Sequence, residues 1–115
     1  MQLYEWNQVV KEQLNPKFVR QVIHSETMTV ARISLQQGCV VPEHSHHNEQ
    51  ISMIESGALK FVLDGKEQVV KAGEVLRIPP NVRHSAEALE DTQATDIFSP
   101  VREDWRSGDD SYLRK

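Results

Sequence analysis

The stretch His44-Ser45-His46-His47-Asn48-Glu49-Gln50 holds three of the chain's five histidines together with an acid and an amide. Imidazole nitrogens and carboxylate or amide oxygens are the donors from which sites for nickel, zinc, iron and manganese are built. On an extended strand, side chains two residues apart share a face. His44 and His46 then project together and Gln50 has their parity, whereas His47 and Glu49 face the other way. Spacing alone leaves a His-x-His pair as compatible with polar surface as with half of a metal site, and a bend at Asn48 would break the parity. A second group capable of chemistry lies in Asp96-Ile97-Phe98-Ser99-Pro100-Val101-Arg102. Asp96 and Phe98 share strand parity, and Arg102 can return from the segment that follows. An edge aspartate, a core phenylalanine and a surface arginine are the plainer reading of the same spacing.

The elements that must position these residues read as short strands. In Thr29–Leu35, the odd positions Ala31, Ile33 and Leu35 form one apolar face of a period-two pattern that starts near Val19. Gln50–Ile54, Ala58–Leu63, Lys66–Val70, Val75–Ile78, His84–Leu89 and Ala94–Ser99 are further strand candidates. Asp64-Gly65 suits a two-residue type I′ hairpin, because both turn positions need positive φ. Gly73-Glu74 and Pro79-Pro80-Asn81 are the other breaks. Short, regularly spaced strands with turn residues between them predict an antiparallel sandwich or barrel. Residues 4–10 fit a short helix or a loose strand, ended by Pro16. A helix is predicted from Ser99-Pro100, with Ser99 as N-cap, Pro100 at the first helical position, and Glu103 and Asp104 in the first turn. Ser107–Asp110 are predicted to be solvated. The expected organisation is one all-β domain over 1–115, with its barrel at about 19–99 and a helical tail at about 100–115.

Composition narrows the function classes. A chain of 115 residues with 38% apolar and 26% charged residues can bury one core without staples. The net charge of −4 gives no reason to expect nucleic acid or a membrane surface as partner. Cys39 is the single cysteine, which excludes an intrachain disulfide and a cysteine-rich zinc site. The opening residues have no signal-peptide pattern and no run approaches ~20 apolar residues, so a cytoplasmic setting is the expectation.

Gly38-x5-His44-x-His46-x3-Gln50-x6-Gly57 resembles the first motif of the cupins. Gly73-x5-Pro79-x-Asn81-x2-His84 resembles the second, with Asn81 where glycine is usual and Ala88 where asparagine is common. Asparagine also tolerates the left-handed conformation, so that departure touches only the turn. The resemblance implies a double-stranded β-helix, the small jelly-roll barrel, in agreement with the strand pattern. It also implies that His44, His46, Gln50 and His84 hold one divalent transition metal (nickel, zinc, iron or manganese), with Gln50 replacing the usual glutamate. Three neutral imidazoles and a neutral amide would leave the ion its full +2 charge, making it a stronger Lewis acid and a better trap for an anion. His24 is expected to be packed or at the surface, and His47 solvent-exposed.

Asp96-x-Phe98-x3-Arg102, with HxHxxEQ upstream, resembles the KdgF-like branch of small cupins over most of residues 27–106. Proteins of that branch act in pectin and alginate breakdown, converting cyclic 4,5-unsaturated uronic acid monomers into the linear ketonised sugar acid. The resemblance implies a small anionic sugar-acid substrate, with Asp96 moving protons, Arg102 pairing with the carboxylate and Phe98 forming an apolar wall. Arg32 has the parity opposite to Ala31, Ile33 and Leu35, and lines the cavity or faces solvent. Two other uses of the fold stand beside this one: an iron-dependent dioxygenase, and a non-catalytic module for a small anionic ligand. Cupins of this size commonly pair through a sheet edge, so a homodimer is expected. Trp105, Tyr112 and Leu113 would then sit at the contact or fold back onto their own barrel.

Overall fold

The computed structural model describes residues 1–115. Ten strands follow a 3-10 turn at Trp6–Gln8: β1 (Glu12–Asn15), β2 (Phe18–His24), β3 (Thr29–Leu35), β4 (Val40–His44), β5 (Glu49–Ser56), β6 (Ala58–Leu63), β7 (Lys66–Lys71), β8 (Val75–Ile78), β9 (His84–Ala88) and β10 (Thr92–Ser99). They form two sheets, β1-β2-β3-β10-β5-β8 and β4-β9-β6-β7, in which every pairing is antiparallel. This is an all-β jelly-roll, as the strand pattern implies. The chain ends in one turn of helix, α1 (Glu103–Arg106), and a 3-10 turn at Ser111–Leu113. No helix is long and apolar enough to cross a membrane.

Alternation along the strands builds the core. On β3, Thr29, Ala31, Ile33 and Leu35 are buried while Val30, Arg32 and Ser34 are less so. They pack with Ile54, Leu59, Phe61, Ile78, Ala94 and Phe98 from other strands of both sheets. The β6–β7 hairpin turns at Asp64 (φ 47°) and Gly65 (φ 80°), the two positive values that a type I′ turn requires. Asn81 occupies the left-handed region at φ 67°, so the asparagine does accept the conformation for which glycine is usual. At Gly57 an added Cβ would lie 2.5 Å from Thr92 Oγ1 and 2.8 Å from Thr92 Cα, which keeps that position a glycine.

Three expectations need correction. The six-stranded sheet begins at Glu12 rather than near Val19, because buried Leu14 gives the short β1 a core contact. The predicted helix start at Ser99 is wrong. Ser99 still pairs with Glu49 on β5, and Asn48 Nδ2 donates to the carbonyls of Pro100 and Val101. Those bonds hold the chain out of helical geometry until Glu103. Finally, Asp110 is not solvated but 1% exposed, unlike its neighbours Ser107, Gly108 and Asp109. It accepts a 2.7 Å bond from Arg20 Nη2, and Arg20 is equally buried. Trp105, Tyr112 and Leu113 fold back onto their own barrel.

Burial alone would raise the Asp110 carboxyl, but hydrogen bonds from Arg114 and Arg20 and their charges pull it below the usual range. Removing Asp110 leaves buried Arg20 with Glu12, which its Nε and Nη2 meet at 3.1 and 3.2 Å, as its remaining carboxylate. Asp110→Ala should therefore lose about 1–3 kcal/mol in urea denaturation, whereas Arg114→Ala, at the exposed rim, should lose less than about 1 kcal/mol. The carboxyl's folded pKa is depressed, so the Asp110 contribution is full above the ~3.9 of unfolded aspartate and disappears as pH falls through the lower folded value. Equal stability of parent and Asp110→Ala at pH 7 would contradict this assignment.

Candidate metal centre

Two of the three clustered histidines come from positions directly paired across strands. β4 ends at His44 and β9 begins at His84, and the two residues face each other in the ladder. Their ring centroids are 4.3 Å apart. His46 lies just past β4, and the chain bends at His47 and Asn48 before β5 restarts at Glu49. Gln50 is the second residue of β5, paired with Ile78 on one side and Phe98 on the other. The bend that threatened the parity argument is present, yet strand pairing re-establishes parity beyond it. Gln50 points inward and is 6% exposed, while Glu49 points outward and pairs with Arg77 at 2.6 Å. His47 is exposed, and His24 bonds Thr29 Oγ1 at 2.8 Å away from the cluster.

Each clustered imidazole has its Nδ1 against a backbone carbonyl: Pro42 for His44 (2.8 Å), Asn48 for His46 (3.0 Å) and Val82 for His84 (2.8 Å). A carbonyl only accepts, so in each ring Nδ1 carries the proton and Nε2 keeps a lone pair. One potential ligand atom from each ring lies within 4.8 Å of the other two. Burial pushes His44 and His46 down to about 4, helped by Arg102 and the neighbouring imidazoles and opposed by the carbonyl bonds. Burial also lowers His84. All three rings are thus neutral at pH 7, the form that binds metals.

The donor set fits a divalent ion on two further counts. His84 Nε2 is buried with no hydrogen-bond partner, a cost that a metal bond removes. His46 Nε2 and Gln50 Oε1 face each other at 3.1 Å, while the Gln50 amide donates to Ser52 Oγ at 2.9 Å. With the protons so placed, both facing atoms are acceptors, and a neighbouring cation resolves the clash.

Asp96, Phe98 and Arg102 line the same cavity as His44, Gln50 and His84. Burial pushes the Asp96 carboxyl up to about 6, against a hydrogen bond with Ser52 and the charge of Arg102. Phe98 is buried with its ring edge-on to His46 at 5.7 Å. Arg102 is 1% exposed and already engaged: Nε and Nη2 donate to the two Asp104 oxygens at 2.9 and 2.8 Å, and Nη2 also to Tyr112 Oη at 2.8 Å. Its guanidinium also lies over Phe98 and Trp105. Arg32 is absent from the cavity and lines a groove on the outer sheet face with Trp6 and Lys11.

The motif between Ala31 and Phe98 decides the family, because residues 31–98 match the family described as "Cupin domain" (Cupin_2). The chain belongs to the cupin family. Among curated relatives, this cupin is 26% identical over 97 residues to the pectin degradation protein KdgF of Dickeya dadantii (strain 3937), covering 82% of this chain and 88% of the relative. It superposes on the structure of KdgF from Halomonas sp. with a TM-score of 0.84 at 25% identity, over 90% of this chain and 99% of that one. An RmlC-like cupin from Shewanella frigidimarina superposes with a TM-score of 0.85 at 26% identity, over 91% and 96%. This is a metal-binding, KdgF-like cupin.

Sequence reasoning missed several residues that the cavity depends on. Ser52, which orients the Gln50 amide, shares Gln50's strand parity and was legible on that ground. Asn48, Asp104 and the position of Tyr112, whose ring lies 4.9 Å from that of His44, had no periodic signal. Chelator-stripped protein should take up one Ni2+ or Zn2+ per chain in calorimetric titration. His84→Ala should bind ~100-fold more weakly or worse, since losing even a ligand's hydrogen-bond partner costs ~10–100-fold. Equal uptake by His84→Ala, or none by the parent chain, would contradict the assignment.

Proposed function

We propose that this cupin converts 4,5-unsaturated uronate monomers to the linear ketonised sugar acid. His44, His46, Gln50 and His84 hold one divalent transition metal in this reading, and Asp96, Phe98 and Arg102 work on the substrate. The observation that carries it is the convergence of a carboxyl poised at about 6 and a buried guanidinium on the three-histidine cavity. The similarity to KdgF proteins supports the choice of substrate.

The reaction conserves formula. Opening the ring hemiacetal removes a proton from the C1 hydroxyl, forms the C1 carbonyl and breaks the bond from C1 to the ring oxygen. The enol left at C5 becomes a ketone when C4 gains a proton. Asp96 accepts the first proton and returns one at C4, a shuttle suited to a pKa near the working pH. Phe98 holds the apolar face of the ring, and Arg102 pairs with the substrate carboxylate. The bound ion, with four neutral donors, supplies a Lewis acid of full +2 charge for the substrate's oxygens. A donor set without carboxylate is poorly suited to stabilising a higher oxidation state, which disfavours the dioxygenase alternative. We also infer a homodimer, supported by exposed Met1, Leu3 and Val10 in the segment that leads into the edge strand β1.

Incubation with a 4,5-unsaturated uronate monomer should erase the absorbance of its conjugated double bond. Asp96→Asn should slow that loss by about 10²–10⁴-fold, and Arg102→Ala should raise KM. The rate should fall as pH drops through about 6, because protonated Asp96 cannot accept the hydroxyl proton. Unchanged rates in both variants would sink the mechanism. Binding without turnover would instead identify a non-catalytic module.

A further inference from the structure

We propose that Asp104 occupies the place of a ligand carboxylate on Arg102, so that ligand binding is an exchange of one carboxylate for another. The inference rests on Arg102 being the group that meets the ligand's carboxylate. Arg102 offers a fork of donors at the cavity wall, and Asp104 takes it in the two-pronged geometry that Arg gives to carboxylates. Tyr112 completes the arrangement by accepting from Nη2, with its ring over His44. Only Nη1 of the guanidinium has no hydrogen bond to the protein.

The space left behind this closure is too small for a sugar. The cavity measures about 60 Å³, less than half of the ~150 Å³ that admits a benzene ring. That is room for a few waters only. A uronate can enter only if side chains at the wall move, and the wall's tail side is α1 and the 3-10 turn that follows. That segment is pinned at its start by Asn48 on Pro100 and Val101, and again at Asp110 by Arg20. Between the pins lie exposed Ser107, Gly108 and Asp109. Asp104 itself is partly exposed, its side chain being 33% accessible against 2% for Arg102. It can swing to water, where its charge is solvated, whereas Arg102 cannot.

This arrangement sets specificity. A ligand that brings a carboxylate replaces the buried charge pair it breaks. A neutral sugar that displaced Asp104 would leave Arg102 uncompensated inside the barrel, which disfavours its binding. Because the closed form competes with the ligand, apparent affinity is the intrinsic affinity scaled by the open fraction. Weakening the internal pair should therefore tighten binding.

Galacturonate, a saturated uronate, and galactose, its neutral counterpart, separate these effects in calorimetric titration of the metal-loaded protein. Asp104→Asn should bind galacturonate about fivefold or more tightly than the parent chain, with galactose showing no such gain. Tyr112→Phe, which removes one hydroxyl and should fold whatever happens to Asp104→Asn, should shift binding in the same direction by less. Adding Arg102→Ala to Asp104→Asn should erase the gain. Hydrogen exchange over residues 103–106 should rise when galacturonate binds the parent chain. Equal or weaker galacturonate binding in both single variants, no binding by any of them, or an equal gain for galactose overturns the proposal. Loss of turnover on unsaturated uronates with the exchange intact would remove the reaction and leave the clamp.

Discussion

Three imidazole lone pairs converge inside a narrow barrel, and much of the surrounding structure exists to make that tolerable. Each ring is fixed by a carbonyl two residues away in the chain, so its orientation is set by local backbone rather than by distant packing. Burial keeps the rings neutral, since three charged imidazolium groups at this separation would repel one another. The barrel therefore presents donors without charge. That property, more than the identity of any one ligand, makes the cavity attractive to a cation and then to an anion.

The tail connects this centre to the scaffold through aromatic and cationic layers. Trp105 lies between two guanidinium groups, Arg20 at 4.4 Å and Arg102 at 4.3 Å from its ring centroid, and meets Phe98 edge-on at 5.0 Å. Two buried arginines are stable so close together because each is paired with carboxylate, Arg20 with Glu12 and Asp110, and Arg102 with Asp104. The two pairs differ in what surrounds the acid. Asp110 is sealed, which suits an anchor, while Asp104 borders water, which suits a group that exchanges.

What was legible in the sequence follows the range of the forces involved. Strand parity is local, and it placed Gln50 inward and Glu49 outward despite a bend that might have reversed them. Turn chemistry is local too: Asp64-Gly65 and Asn81 sit at positive φ because few other residues do so cheaply. The tail was misread because its structure depends on pairs far apart in sequence. Arg20 and Asp110 are 90 residues apart, and Asn48 reaches 52 residues to hold Pro100. No periodicity marks such contacts. The cavity's composition was read from motif spacing, but its closure by Asp104 and Tyr112 was not, because a polar tail gives no sign of which side chain turns inward.

The central claim is that His44, His46 and His84 are neutral, with the proton on Nδ1 and Nε2 free for a cation. Nitrogen-15 NMR of the imidazole rings reads this directly in metal-free protein at pH 7. All three rings should show the Nδ1–H tautomer, and added Zn2+ should shift their Nε2 resonances together at one equivalent. Imidazolium signals, an Nε2–H tautomer at any of the three, or Zn2+ shifts confined to His24 and His47 would contradict the account.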